Sequence, residues 1–225
     1  PQVNLSEALS RVPGVVVLNR QNYAQDLQLS IRGFGARSTF GIRGVRLIVD
    51  GIPATMPDGQ GQAATISLPS TSRIEVLRGP LALLYGNAAG GVVQAFTADG
   101  KVPMAEAAWS LGSFRAERFG LSASGQSGSV SMLADWSRFA TDGYRDHSAA
   151  RREHFNAKLG LDLSERTRLT LVANVFDQPL SQDPLGLTRE QMQANPRQVD
   201  ASALSQDTRK TIAQNQFGMV LEHRL

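Results

Sequence analysis

Three polar loops gather most of the side chains that could hold a ligand. GFGARSTFGIRG carries Arg37, Ser38, Thr39, Phe40 and Arg43. ATMPDGQGQAA carries Met56, Gln60 and Gln62. TDGYRDHSAARREH carries Tyr144, Arg145, His147, Arg151 and Arg152. Together they offer several cations and few nearby acids. Guanidinium groups grip carboxylates in a bidentate fork, so an anion is the ligand this chemistry suits. For any single residue here, a solvated loop position is the plainer reading. Covalent chemistry has no comparable support. His147, His154 and His223 do not have metal-ligand spacing, and no Ser-His-Asp arrangement stands out, so the chain reads as no enzyme and as metal-free. GNAAGG lacks the Lys-Ser/Thr of a phosphate-binding loop and does not fit the dinucleotide fingerprint.

The 225 residues carry a formal charge of +3, too small to suggest nucleic-acid binding. With no cysteine there is no disulfide framework or thiolate metal site. No apolar run is long enough for a membrane-spanning helix, which leaves a membrane barrel open, because barrel strands alternate. No signal peptide is visible, and both ends are expected to be cut.

The elements that must position these loops follow two grammars. Up to about residue 100 the chain is irregular and rich in glycine. Asn4 caps a predicted short helix over LSEALSR, stopped by Pro13-Gly14. Strands are predicted at 15–18, 27–32 and 45–49, the last closed by the Asp50-Gly51 turn. RIEVLRGP then runs into a small-residue segment, Tyr85-Gly86, the pair Gly90-Gly91 and a second apolar strand. Gly33, Gly51, Gly79, Gly86, Gly90 and Gly91 read as turn and close-approach positions. This order of charged strand and glycines predicts a polar unit packed inside an enclosure.

From about Met104 the pattern has period two. Six apolar faces follow, from Ala105-Ala107-Trp109-Leu111 to Phe217-Met219-Leu221, each strand near the 9–11 residues that cross a bilayer at a tilt. The opposite face carries Glu106, Arg118, Asp135, Asn156, Lys158, Asp162, Asn174, Gln214 and Gln216. Joints QSGS and SERT are short. The joints at 141–154 and 177–210 are long and polar. Phe119, Trp136 and Phe155, with Trp109 close by, fall near the long-loop ends like an aromatic girdle, and Arg138 lies just beyond. Short turns on one side and longer loops on the other predict a transmembrane β-barrel. A soluble sandwich would instead bury the apolar stripes.

LSEALSRVPGV, LSIRGFG, LIVDGIP, RIEVLRGP and LYGNAAGGV resemble the plug domain of TonB-dependent outer-membrane receptors, and the alternating strands resemble the start of their barrel. QNYAQDLQLSIRGFGARSTFGIRGVRLIVDGIPATMPDGQGQ, with GYRDHSAAR, is similar to the YncD-type receptors of that family. The resemblance implies a mixed α/β plug over 1–100 and, over 101–225, about six antiparallel strands of a barrel of about 22. It implies a TonB box upstream and further strands downstream. It also implies a monomeric, multi-pass barrel in the bacterial outer membrane, its plug reached from the periplasm by TonB of the TonB–ExbB–ExbD complex. Ligand would meet the plug apices and long loops. Arg32 and Arg78 match arginines that lock plug to barrel glutamates; without the resemblance they read as solvated surface arginines. The implied cargo is a ferric siderophore or another anionic iron chelate, with Fe3+ entering as cargo and not as cofactor. The YncD-type likeness points instead to a carboxylated redox cofactor such as pyrroloquinoline quinone. A non-transporting surface receptor, lacking the TonB box, is the competing class.

Overall fold

The change in patterning near residue 100 is a change in architecture. The computed structural model describes residues 3–20, 22–38, 41–86 and 88–225, with 81 and 83 described by main chain alone. Thr39 and Phe40 lie outside the described residues.

The first part is an inner unit. Helix α1 (Leu5–Leu9) starts at Asn4, whose N–H donates to Glu7 Oε1. A carboxylate in the first turn suits both the free N–H groups and the dipole. Strands β1 (Val15–Leu18) and β2 (Gln28–Ile31) form an antiparallel pair. A second sheet has the order β4-β3-β6-β5, from β3 (Val45–Val49), β4 (Ile52–Pro53), β5 (Thr71–Leu77) and β6 (Gly91–Thr97). The Asp50-Gly51 turn joins β3 to β4. β3 pairs with β6 in parallel, and the nearly continuous apolar run of each matches burial on both faces. Leu29, Ile31, Ile42, Val45, Leu47 and Val93 form the centre of the core. Gly90-Gly91 is forced by this packing. A Cβ on Gly90 would lie 2.6 Å from the Cβ of Phe34. Gly91 has φ +130°, and its Cβ would lie 2.7 Å from the Leu77 carbonyl oxygen. Only glycine fits there without displacing backbone.

The second part is a wall of six antiparallel strands in sequential order: β7 (Met104–Gly112), β8 (Ala116–Ser127), β9 (Val130–Thr141), β10 (Ala150–Ser164), β11 (Thr167–Ser181) and β12 (Ile212–His223). Its apolar face points outward. Trp109 is 66% exposed and Phe217 73%, which excludes the sandwich expectation. Phe119 meets Trp136 edge-on, and the Trp109 indole donates to Glu117. Arg138 pairs with Glu153 beyond the aromatic level, at 3.9 Å. The inward face is polar. One register row crosses the whole wall: Glu106, Ser122, Asp135, Asn156, Asn174 and Gln216, one residue from each strand.

Three boundaries differ from the sequence pattern. β10 begins at Ala150, so Arg151 and Arg152 belong to a strand and not to the loop. β11 continues to Ser181 through Pro179, which sits at a register shift opposite Arg151 and Glu153. A bulge tolerates proline because its N–H has no ladder partner. The long joint before β12 contains helices α2 (Arg189–Ala194) and α3 (Ala201–Ser205). Thr188 caps α2 by accepting the Gln191 N–H, and Asp200 caps α3 by accepting the Ser202 N–H.

Candidate functional site

The chemistry of this molecule is concentrated in the seam between inner unit and wall. At mid-wall, Asp135 accepts from Ser122 at 2.7 Å and from Ser67 of the inner unit at 3.3 Å. On the last strand, Gln216 donates to the Pro53 carbonyl at 3.0 Å. Asn156 Oδ1 and Asn174 Nδ2 are buried in the same row with no partner among the described residues.

One step toward the short turns, Lys158 reaches into the inner unit. Its ammonium lies 3.2 Å from Asp50 Oδ1, 3.3 Å from the Thr97 carbonyl and 3.4 Å from Asp99 Oδ1. The Asp50 side chain is only 5% exposed and the Lys158 side chain 13%. Asp50 also accepts the Thr97 N–H and hydroxyl, at 3.0 and 2.6 Å. The turn after β3 and the end of β6 are thereby tied to β10 at one point. The sequence marked Asp50 only as a turn residue. Its φ of +49° is one that Asp tolerates better than most side chains.

Toward the long loops, the inner unit offers residues 22–26. Asn22 donates to Asp183 Oδ1 at 2.7 Å, and Gln25 donates to Asp183 Oδ2. Asp26 pairs with Lys210 at 2.7 Å. Gln178 donates to the Tyr23 carbonyl at 3.2 Å. Arg152 lies over the Tyr23 ring and donates to Gln178 and Asn4. Burial pushes the Tyr23 phenol above its usual range, against the opposing pull of Arg152, so it stays neutral.

The model of the TonB-dependent Receptor Plug Domain matches residues 1–92. Residues 1–92 are a TonB-dependent receptor plug domain. The chain is 33% identical over 112 residues to the ferric enterobactin receptor of Pseudomonas aeruginosa, a match covering 43% of this chain and 14% of that protein. The crystal structure of the siderophore receptor PirA from Acinetobacter baumannii covers 99% of this chain with a TM-score of 0.71 at 21% identity, over 36% of its own length. The unliganded ferric citrate transporter FecA covers 88% of this chain with a TM-score of 0.67 at 24% identity, over 32% of its length. The two structures share the fold of this chain, an inner unit beside a wall of antiparallel strands. The relatives are named as receptors and transporters, not as enzymes, and this chain spans about a seventh to a third of their length.

The plug brings two of the predicted loops together. Ile42 bridges to Gly61, and Arg43 donates to Gln60 at 3.1 Å. Arg43 is not a free cation, however, because Asp58 lies 3.5 Å away. Arg37 and Met56 are exposed, and Ser38 donates to the Gly41 carbonyl. Met56 and Gln62 line a groove beside Lys210 and Ile212.

The third predicted loop is occupied by its own structure. Arg145 donates to the carbonyls of Pro184, Leu185 and Gln198, and burial lowers its pKa. His147 Nε2 lies 3.0 Å from the Thr208 carbonyl. Tyr144 stacks edge-on against Phe114, with Arg197 over both rings. Arg152 faces the seam, and Arg151 shares the outward parity of Phe155. The expected group of free cations is therefore dispersed: ordered carbonyls, plug amides and the outer surface take up these side chains.

Arg32 and Arg78 do come together. They flank Gly14, where an added Cβ would lie 3.2 Å from Arg78 Nη1 and 4.0 Å from Arg32 Cγ. Arg78 donates to the Pro13 carbonyl. Among the described residues neither forms an ion pair with a wall carboxylate. Residues 22–26, which supply the plug's contacts to the long-loop end, were missed. The signal available was the amide-rich run QNYAQD before a buried strand.

Proposed function

We propose that the protein takes up a scarce small ligand across the bacterial outer membrane by TonB-dependent active transport, and that the cargo is a ferric siderophore or another anionic iron chelate. The plug domain carries this reading, since it sits in a seam built from hydrogen bonds and a few ion pairs. Such a seam holds a plug in place and still lets part of it move, because water can replace most of its polar contacts at small net cost. The anionic iron cargo is supported by the relatives, whose names specify ferric enterobactin and ferric citrate. Arg145 of the 142–149 loop and Arg151 and Arg152 of β10, dispersed as they are, do not carry it. TonB of the inner-membrane energy complex would supply the pull, acting on the plug from the periplasm. Arg32 and Arg78, side by side at one end of β1–β2, suit a lock against barrel carboxylates.

The test compares cells with and without the full gene, each with and without functional TonB, for uptake of ferric enterobactin, ferric citrate and pyrroloquinoline quinone. Gene- and TonB-dependent uptake of a ferric chelate is the expected result. Uptake of the quinone alone would replace the iron reading by the cofactor reading. Loss of none of the three would reject both, leaving a surface receptor that does not transport them.

A further inference from the structure

Both stems of a single outer loop grip one short plug segment. Asp183 lies two residues past the end of β11 and is 9% exposed. Its two carboxylate oxygens accept Asn22 Nδ2 and Gln25 Nε2, one each. Lys210, at the opposite stem just before β12, pairs with Asp26. Gln178 of β11 holds the Tyr23 carbonyl. Four of the five residues from 22 to 26 are thus held by the strand ends that frame the loop 182–211.

Neither side of this contact is a loose chain. Asn22 Oδ1 accepts the Ala24 N–H at 2.9 Å, closing a local turn. The stems are bonded to each other: the Asp183 N–H donates to the Thr208 carbonyl at 2.9 Å, the Thr208 hydroxyl to the Asp183 carbonyl at 2.6 Å, and the Lys210 N–H to the Ser181 carbonyl at 2.8 Å. Beyond the stems, Arg145 binds carbonyls on both halves of the loop, at 184–185 and at 198. A displacement of the loop body is therefore carried to its base. On the plug side, residue 26 lies two positions before β2, whose Leu29 and Ile31 are fully buried in the plug core.

We propose that the base of the 182–211 loop is a clamp on plug residues 22–26, and that the state of this outer loop sets whether β2 is held or free. The proposal rests on the plug-in-barrel reading but not on the identity of the cargo. The clamp gives the receptor a short mechanical route from its outer surface to the plug core, through a carboxylate with two amide partners and one ion pair.

Hydrogen exchange by mass spectrometry on the full-length receptor in detergent, without ligand, tests it. In the Asp183→Ala/Lys210→Met double variant, exchange across residues 22–31 should rise at least tenfold while β5 and β6 keep their protection. Asp26→Lys should raise it too, and adding Lys210→Asp should restore it. Unchanged exchange in the double variant would overturn the clamp. An equal rise through the whole plug would overturn it as well, since the contact would then be general support. If the double variant fails to fold, Lys210→Met alone decides by the same comparison. Failure of iron uptake would leave these readings intact, so the clamp and the transport proposal fail separately.

Discussion

The two ends of the plug–wall seam are held by different chemistry. Toward the short turns, one buried ion pair joins Lys158 to Asp50, and Asp50 binds both the backbone and the hydroxyl of Thr97. Toward the long loops, side-chain amides and one ion pair share the load. There the Lys210 side chain is 29% exposed and the Asp26 side chain 12%. Removing one partner of a buried pair strands a charge in low dielectric and costs about 3–5 kcal/mol. Exposed pairs contribute about 0–1 kcal/mol each and are screened by salt. The β3–β6 sheet is thus fixed at a point by one buried ion pair, whereas residues 22–26 are held by several separate contacts that can be released one at a time. The proposed transport would need this asymmetry: a part that stays and a part that lets go.

The largest effect should come from breaking the fixed end. Lys158→Met should destabilise the plug in the full-length receptor by about 3–5 kcal/mol, measured by denaturant-induced unfolding of the plug. Adding Asp50→Asn should recover most of the loss, because the second change removes the stranded carboxylate and keeps an acceptor for Thr97. Neither effect should depend much on salt. A loss below about 1 kcal/mol for Lys158→Met would place the anchor among ordinary surface pairs and erase the contrast between the two ends.

The same contrast explains what the sequence made legible. Period-two patterning exposed every wall strand, because lipid on one side and a polar interior on the other impose opposite demands on alternate residues. The turn at Asp50-Gly51 and the glycine pair at 90–91 were readable as local requirements. Partnerships across the seam were not. Lys158 lies 108 positions from Asp50, Asp183 lies 161 from Asn22, and no periodicity encodes such distances. The cation-rich loop misled for a related reason. Arg145, His147 and Arg152 are residue types that suit an anion, but composition does not reveal that carbonyls at 184, 185, 198 and 208, or the Tyr23 ring, already engage them. Pro179 concealed the end of β11, since only the bulge at the register shift makes proline acceptable there.

A middle-sized effect should come from the loop itself. Arg145→Ala leaves three carbonyls without their charged donor, a loss of about 1–3 kcal/mol locally. Limited proteolysis should then cut within 182–211 much faster, with the wall strands intact. Arg145→Lys should rescue only partly, because one ammonium cannot reproduce the planar fork that reaches both halves of the loop. Unchanged cleavage in Arg145→Ala would mean that α2 and α3 order the loop on their own, and the long-loop end would then respond to its contacts with the plug alone.

The smallest effect separates the two ends by pH. Ser202 donates to Asp200 from both its N–H and its hydroxyl, and these bonds hold the Asp200 carboxyl below its usual range. A lowered folded-state pKa means that the unfolded state binds protons more readily, so the stabilisation is complete above the unfolded value. It is lost as pH falls through the folded value. The cap of α3 should therefore weaken in acid, seen as faster amide exchange at 202–205 below about pH 4, after correction for the intrinsic rate. Asp200→Asn keeps an N-cap acceptor and should flatten this pH dependence. Asp200→Ala should show the acid-like exchange at neutral pH. If Asp200→Asn titrates as the unmodified protein does, the pH response belongs to another group and the cap of α3 does not set it.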